Sequence, residues 1–234
     1  MLPAAAAHAF VADLDALALG ADDEHHLFRV LRLRPGEAVT VGDGAGRWRS
    51  CRVAKGGGGL EAAGEITTEP RAEPSVAVAF GITKGERPEW VVQKLTELGV
   101  DEIVPMTTRH AVVKWDADKA RRAHERLQDV ARSAAMQARL AWLPVVRPMT
   151  AFADLLAGDL GAGAALAHPG GGPVSLDRPT VLIGPEGGWS ADELAVAPAL
   201  VDLGPTNLRA ETAAVAVGVR LCVLRANHPQ HEAE

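Results

Sequence analysis

Val181-Leu-Ile-Gly-Pro-Glu-Gly-Gly-Trp-Ser-Ala-Asp-Glu193 and Leu203-Gly-Pro-Thr-Asn-Leu-Arg-Ala-Glu-Thr212 carry two glycine-rich turns close together in the chain. Val181-Leu182-Ile183 is too short for a helix and rich in β-branched residues, so it reads as a buried strand. Ser190-Ala-Asp-Glu193 has the spacing of a capping box, and Trp189 and Leu194 are placed as its hydrophobic staple. The second turn enters an apolar helical pattern, Ala213–Leu224. Two strand-to-helix turns so near each other point to the ligand-binding end of an open α/β sheet, where unpaired backbone N–H groups gather. Each turn carries a carboxylate, Glu186 or Glu211, and Arg209 stands beside the second, which favours a site over two plain tight turns.

Working outward, Glu69–Pro74 reads as a linker, and alternating strand and helix patterns follow it. Val76–Ile82 is an apolar strand, and Glu89–Leu98 an amphipathic helix using Trp90, Val91, Leu95 and Leu98, closed by Gly99. Ile103–Pro105 starts a strand that ends near Arg109, and Ala117–Gln137 is a long basic helix. Leu143–Val146 and Ala164–Ala167 are further strands. This alternation predicts an α/β domain over residues 73–234, with a mostly parallel sheet and helices on both faces.

Residues 1–72 read differently. His26–Arg34 predicts a helix with Leu27, Val30 and Leu31 on one face, stopped by Pro35-Gly36. Val39 and Val41 alternate with polar neighbours, and Gly42–Gly46 makes a turn before a strand over Arg47–Lys55, which is hairpin patterning. The Gly-x-Gly-x-Gly of that turn precedes no helix and is not a dinucleotide fingerprint. Together these features predict a small β-rich domain, a barrel.

The two turns, Leu182–Glu193 and Leu203–Ala213, resemble the signature of the 16S rRNA uridine-N3 methyltransferases, members of the SPOUT class of knotted enzymes that use S-adenosylmethionine. The resemblance covers nearly the whole chain. Lys84-Gly-Glu-Arg87, Gln93-Lys94 and Glu97-Leu-Gly99 resemble the family's first loop and helix, while Thr108-Arg109 and Val113-Lys-Trp115 match the loop after its next strand. His168-Pro169 also matches, and His26-Leu-Phe-Arg-Val-Leu-Arg32 is similar to the local motif of its PUA-like RNA-binding domain. Two positions depart from the pattern: His8-Ala-Phe-Val11 lacks an arginine before its aromatic-valine pair, and Ser133 stands where an acidic residue would precede Gln137.

What the resemblance implies is a PUA-like β-barrel over residues 1–72 and a knotted, SPOUT-like domain over 73–234; the periodicity does not show the knot. It implies S-adenosylmethionine as cofactor, held by His168, Ile183, Gly184, Pro185, Gly188, Leu203, Gly204 and Leu208. The substrate would be 16S rRNA or the small ribosomal subunit, contacted by Arg29, Arg32, Arg47, Lys84, Arg87 and Arg109. A homodimer is implied too, with Val215, Val219, Leu221 and Leu224 offering either its apolar surface or intramolecular core. Methylation at uridine N3 requires the imide proton to leave, so charge developing on the base needs a cation and the proton needs an acceptor. Arg209 suits the first task and Glu211 the second. The structural alternatives are that Arg209 pairs with Glu211 or Glu186 to hold the turn, and that Glu211 favours a helix N-terminus.

Composition sets the remaining bounds. The net charge of −6 argues against a nucleic-acid partner until its distribution is considered: the balance from His25 to Lys55 is +5 and from Arg109 to Arg139 is +4. Since screening limits exposed charges to about 8 Å at physiological salt, a phosphate backbone responds to such patches and not to the total. Cys51 and Cys222 form no CxxC pair or disulfide framework, pointing to a reducing cytoplasm. No apolar run approaches the roughly 18 residues of a membrane span, and the alanine-rich start lacks an early Lys or Arg expected of a signal peptide. His25-His26, His168 and His228/His231 lack zinc-site spacing, so no metal is expected, and there is no P-loop motif. Two rival readings stay open: a SPOUT methyltransferase acting on another rRNA or tRNA nucleotide, and a non-catalytic RNA-binding ribosome-assembly factor. The intact turns favour catalysis.

Overall fold

The computed structural model describes residues 2–82, 85, 87–111 and 115–228. The chain divides into two units: the residues up to Arg71 together with Arg132–Leu143, and Ala72–Ala131 together with the residues from Pro144 onward.

The first unit contains β1 (Ala7–Phe10), a short helix α1 (Ala21–His25), and strands β2 (Ala38–Gly42), β3 (Arg47–Val53), β4 (Leu60–Ala62) and β5 (Thr67–Thr68). Their order is β1-β2-β3-β4, with β5 also on β3; β1 runs parallel to β2 and the other pairs are antiparallel. The β2–β3 hairpin is held by Asp43, whose Oδ1 accepts the N–H groups of Ala45 (2.7 Å) and Arg47 (3.1 Å), the Asx geometry that makes aspartate a turn residue. The expected alternation on β2 is not observed. Thr40 is as buried as Val39 and Val41, its hydroxyl lying 2.9 Å from His8 Nδ1, because both faces of the strand are covered.

The helical face expected of His26–Arg34 is corrected as well. After α1 the chain widens into a π-helical turn, His26–Val30, marked by the Leu31 N–H donating to His26 O. That wider turn breaks the 3.6-residue spacing, so Leu27 is fully buried while Val30 and Leu31 are 57% and 43% exposed. Arg132–Leu143 completes this unit. Arg132 pairs with both carboxylate oxygens of Asp23 (2.6 and 2.9 Å), and Trp142 Nε1 donates to Glu69 O at 2.9 Å. The Trp142 ring fills the space where a side chain on Gly46 would stand, 2.4 Å from an added Cβ, and Gly46 has φ +92°.

The second unit contains β6 (Ala77–Gly81), α2 (Arg87–Leu98), β7 (Glu102–Thr107), α3 (Ala117–Ala138, whose last turns belong to the first unit), β8 (Val145–Val146), β9 (Thr150–Ala151), α4 (Phe152–Ala157), β10 (Ala164–Gly172), β11 (Thr180–Ile183), α5 (Ala191–Ala195), β12 (Leu200–Val201) and α6 (Ala210–Ala226). Every pairing is parallel, in the order β12-β10-β11-β6-β7-β8, with β9 also on β7. Both faces of the sheet are covered. Val181, Ile183, Val78 and Phe80 pack into one core with α2 and α6, and Leu182, Ala79, Leu166 and Met106 into another with α4. Successive side chains of a strand point to opposite faces, so burial on both sides yields the continuous apolar runs seen in the sequence.

Trp90 is a correction: it is 44% exposed, and the buried stripe of α2 is Val91, Val92, Leu95 and Thr96. Helix α6 crosses α2 at Gly218, where an added Cβ would meet Leu95 Cδ2 at 2.7 Å. Its far end is fixed by the buried pair of Arg225 with Asp101, whose carboxylate also accepts the Val76 N–H.

Candidate active site

Strands β12, β10 and β11 are neighbours, so their carboxyl ends bring three segments together: the turn after β11, the turn after β12 and the second half of β10. In β10 the pairing slips, because both Ala167 and Gly172 oppose Val201 and residues 168–171 bulge out between them. Bulges of this kind re-aim side chains beside active sites. Gly171 has no alternative residue here, since an added Cβ would lie 2.6 Å from the backbone of Leu200 and Val201. Asp202 fastens the bulge to the next turn: its Oδ2 accepts the Gly170 N–H (2.8 Å) and its Oδ1 the Gly204 N–H (2.7 Å). Those two N–H groups hold the Asp202 carboxyl below the usual carboxylate range.

The turn after β11 closes with the Gly188 N–H donating to Pro185 O at 2.8 Å, and Gly188 has φ +69°. Its preceding strand neighbour is tight as well: a Cβ on Gly81, at the end of β6, would meet Pro185 N at 2.8 Å. The expected capping box is present, with Ser190 Oγ accepting from the Glu193 N–H and Glu193 Oε2 accepting from the Ser190 N–H at 2.8 Å. Trp189 and Leu194 both pack on the second core, and Trp189 Nε1 donates to Ala167 O at 2.9 Å. Glu193 does more than cap. Its Oε1 accepts the backbone N–H of Arg109 at 2.8 Å, tying in the segment after β7. Burial pushes the Glu193 carboxyl up, but the N–H groups of Arg109 and Ser190 and the Ser190 hydroxyl outweigh it and leave it below its ordinary value.

These segments enclose a cavity of about 760 Å³. His168, Ile183, Gly184, Pro185, Gly188, Leu203, Gly204 and Leu208 all line it, as does Arg209. Arg209 is the N-cap of α6 in extended conformation and makes no side-chain cap bond; among the described residues it has no ion-pair partner. Glu211, in the first turn of α6, is not part of the lining. Its Oε1 lies 3.7 Å from Arg87 Nε, and Arg87 Nη1 donates to Glu186 Oε1 at 2.9 Å. So the carboxylates flanking the turns pair with Arg87 on α2 and not with Arg209.

The chain matches the RNA methyltransferase domain over residues 71–221 and the RNA methyltransferase PUA domain over residues 19–67. It is 35% identical over 216 residues to the ribosomal RNA small subunit methyltransferase E of Mycobacterium bovis, a match spanning 84% of this chain and 82% of that protein. The chain belongs to the ribosomal RNA small subunit methyltransferase E family. Two solved structures extend the comparison to the fold. The methyltransferase E of Neisseria gonorrhoeae, bound to S-adenosylmethionine, has a TM-score of 0.77 and 25% identity over 93% of this chain and 97% of its own. A Legionella pneumophila methyltransferase in complex with the same cofactor has a TM-score of 0.76 and 28% identity over 89% and 90%.

Of the expected RNA contacts, Arg29, Arg32, Arg47 and Arg109 are exposed, and among the described residues none has a side-chain ion pair. Their neighbours Arg49 and Arg52 are instead bonded to carbonyls of Leu14, Gly64 and Gly36. Arg87 is engaged by two carboxylates, and Lys84 lies outside the described residues. Asp202 and Gly81 were not singled out from the sequence, and Glu193 was read only as a capping residue, without its hold on Arg109; for Asp202 the local signal was its place two residues before Gly204, an Asx-turn spacing. Among the described residues no three His, Cys, Asp or Glu side chains cluster as metal ligands would, and no helix is long and apolar enough to cross a membrane.

Proposed function

We propose that this member of the methyltransferase E family methylates N3 of a uridine in 16S rRNA, using S-adenosylmethionine. The observation that carries this reading is the cavity at the carboxyl ends of β10, β11 and β12, with Arg209 in its wall. The residues present fit the cofactor. The volume is that of a small-molecule site, the side chains of Ile183, Leu203 and Leu208 give it apolar walls, and the glycine turns bring backbone N–H and C=O groups to the surface. His168, Ile183, Gly184, Pro185, Gly188, Leu203, Gly204 and Leu208 would hold it. Bound there, S-adenosylmethionine supplies an activated methyl group.

The chain's own task is to make uracil N3 nucleophilic. Arg209, exposed in the cavity wall and free of any carboxylate among the described residues, stabilises negative charge developing on the base. Glu211 accepts the imide proton. Residues 1–72 form the RNA-binding domain and 73–234 the knotted methyltransferase domain, with Arg29, Arg32, Arg47, Lys84 and Arg109 meeting phosphates. The enzyme works in the cytoplasm as a homodimer. The apolar groove of about 800 Å³ lined by Pro173, Val174, Val219, Val223 and Leu224 supports the dimer, whereas Leu221, fully buried, belongs to the core. Nucleoside mass spectrometry of small-subunit rRNA from cells with and without the gene tests the function: loss of N3-methyluridine is expected, and its persistence would overturn the reading.

A further inference from the structure

The first unit has a cavity of its own, about 430 Å³, walled by Glu24, His25, Phe28, Arg29, Gly57 and Gly58. All six lie in the span matched by the PUA domain, and none lines the cofactor cavity. Two pieces of chain build the wall. One is the end of α1 with the π-helical turn after it, a local form frequent at functional sites. There Leu27 turns fully inward, Phe28 is half-buried and Arg29 is exposed. Phe28 packs against both core clusters of this unit while it also lines the cavity, so the core braces its ring. The other piece is the turn between β3 and β4, closed by the Ala54 N–H donating to Gly59 O (3.1 Å) and the Gly57 N–H to Ala54 O (2.9 Å). Gly57 has φ +74°, but Gly58 has no positive φ, and a Cβ there would meet nothing within 4 Å. The fold would accept a side chain at Gly58; its lack keeps the cavity open.

Glu24 and Arg29 are exposed, and among the described residues neither has an ion-pair partner. A braced aromatic ring beside a free carboxylate and a free guanidinium suits a nucleobase better than a bare phosphate. The ring offers a stacking face. The carboxylate repels phosphate but accepts N–H donors from the amino edge of adenine, cytosine or guanine. Uracil suits it least, because two carbonyl oxygens flank its single N3–H. We propose that this cavity is a second base subsite: it holds one unpaired, amino-bearing base of the RNA, distinct from the target uridine, stacked on Phe28 and read by Glu24. Arg29 holds the adjoining phosphate. The proposal rests on RNA being the ligand, as in the reading above, and it places sequence recognition in a different unit from the cofactor cavity.

The test is fluorescence anisotropy of the full chain with a short labelled oligouridine, and with the same strand carrying one central adenosine, cytidine or guanosine, at several salt concentrations. The full chain should bind at least one amino-bearing strand roughly fivefold or more tighter than oligouridine, the worth of one stacked base. F28L keeps an apolar side chain against the core but removes the aromatic face, and G58L fills the cavity from a position with room for it. Each should erase the preference without changing the salt slope, because stacking releases no counterions. R29Q should instead reduce the slope by about one and keep the preference. E24Q should narrow it, since a carboxamide also donates to uracil carbonyls. A full chain that binds all the strands alike overturns the proposal, as does a preference that survives in G58L or persists when the strand is paired with its complement. If F28L melts early, G58L decides alone. Failure here is distinct from failure of the methylation reading. Strands bound alike, with N3-methyluridine lost on deletion of the gene, remove the subsite only; a preference erased by G58L, with N3-methyluridine retained, removes the methylation reading only.

Discussion

Glu193 and Arg109 are 84 residues apart in sequence, yet the Glu193 carboxylate accepts the Arg109 backbone N–H at 2.8 Å. The same carboxylate caps α5 through Ser190, so one side chain joins the turn after β11 to the segment after β7. Glu193→Ala should therefore cost about 1–2 kcal/mol in denaturant unfolding, the loss of a cap and of a partner for a backbone N–H. Hydrogen exchange should rise at Arg109 and Ser190 together. Because the folded carboxyl lies below its ordinary value, its contribution is present above about pH 4.5 and declines as pH falls below that, a decline absent in the variant.

Gly184→Val and Gly204→Val should both weaken binding of S-adenosylmethionine by calorimetry, for different reasons. At Gly184 an added Cβ would lie 3.1 Å from the Trp189 ring, displacing the indole that braces the turn. At Gly204 there is space, but φ is +121°, a conformation L side chains rarely adopt. Backbone strain of that kind costs on the order of 1–3 kcal/mol, so the affinity should fall about tenfold or more. Normal affinity in both folded variants would take these turns out of the site.

Replacing Arg29, Arg32 and Arg47 together with glutamine should weaken RNA binding and flatten its salt dependence, by about one in the slope for each lost phosphate contact. Cofactor affinity should not change. An unaltered salt slope would assign the three arginines to plain solvation.

Arg209→Ala should slow the chemical step by about 10²–10³-fold, the loss seen when an electrostatic stabiliser is removed, with much smaller changes in either dissociation constant. Arg209→Lys should recover only part, since an ammonium lacks the planar fork. Raising pH should partly rescue the alanine variant, because the base then needs less help to ionise. A near-normal single-turnover rate in Arg209→Ala would make the arginine a scaffold.

His8 offers a test confined to the first unit. It is buried, and desolvation, with Arg139 and Arg132 adding to it, lowers its pKa from 6.5 to about 4. The unfolded chain therefore binds a proton that the folded chain refuses. Stability should be unaffected by this group above pH 6.5, fall as pH drops toward about 4, and level off below it. The total loss is on the order of 3 kcal/mol. His8→Gln should flatten that part of the curve in urea titrations across pH.

The sheet was legible in the sequence because its central strands are buried on both faces, which leaves runs such as Val181–Ile183 apolar throughout. The capping box was legible because all its partners lie within four residues. What the sequence concealed depends on distant partners or on a change of helical period. Glu193 and Asp202 gain their roles from N–H groups on other segments. The second half of β10 pairs only because residues 168–171 bulge out. Val30, Leu31 and Trp90 were assigned to apolar faces by counting turns, and the π turn and a stripe centred on Val91–Val92 turned them outward. The pairing of Glu211 with Arg87, in place of its near neighbour Arg209, is likewise a tertiary fact.

Trp142, whose ring covers Gly46 and whose Nε1 holds Glu69 O, belongs to the first unit although it follows α3 in the chain. That unit is therefore discontinuous along the chain, and its amino-terminal part is not a cassette that recombination can splice onto an unrelated enzyme. A transfer cut near residue 72 would leave behind Trp142 and Arg132, stranding Asp23 and baring the β2–β3 hairpin. A change at Asp23 would have to be answered at Arg132 in α3, and a change at Gly46 at Trp142 in the segment that follows that helix.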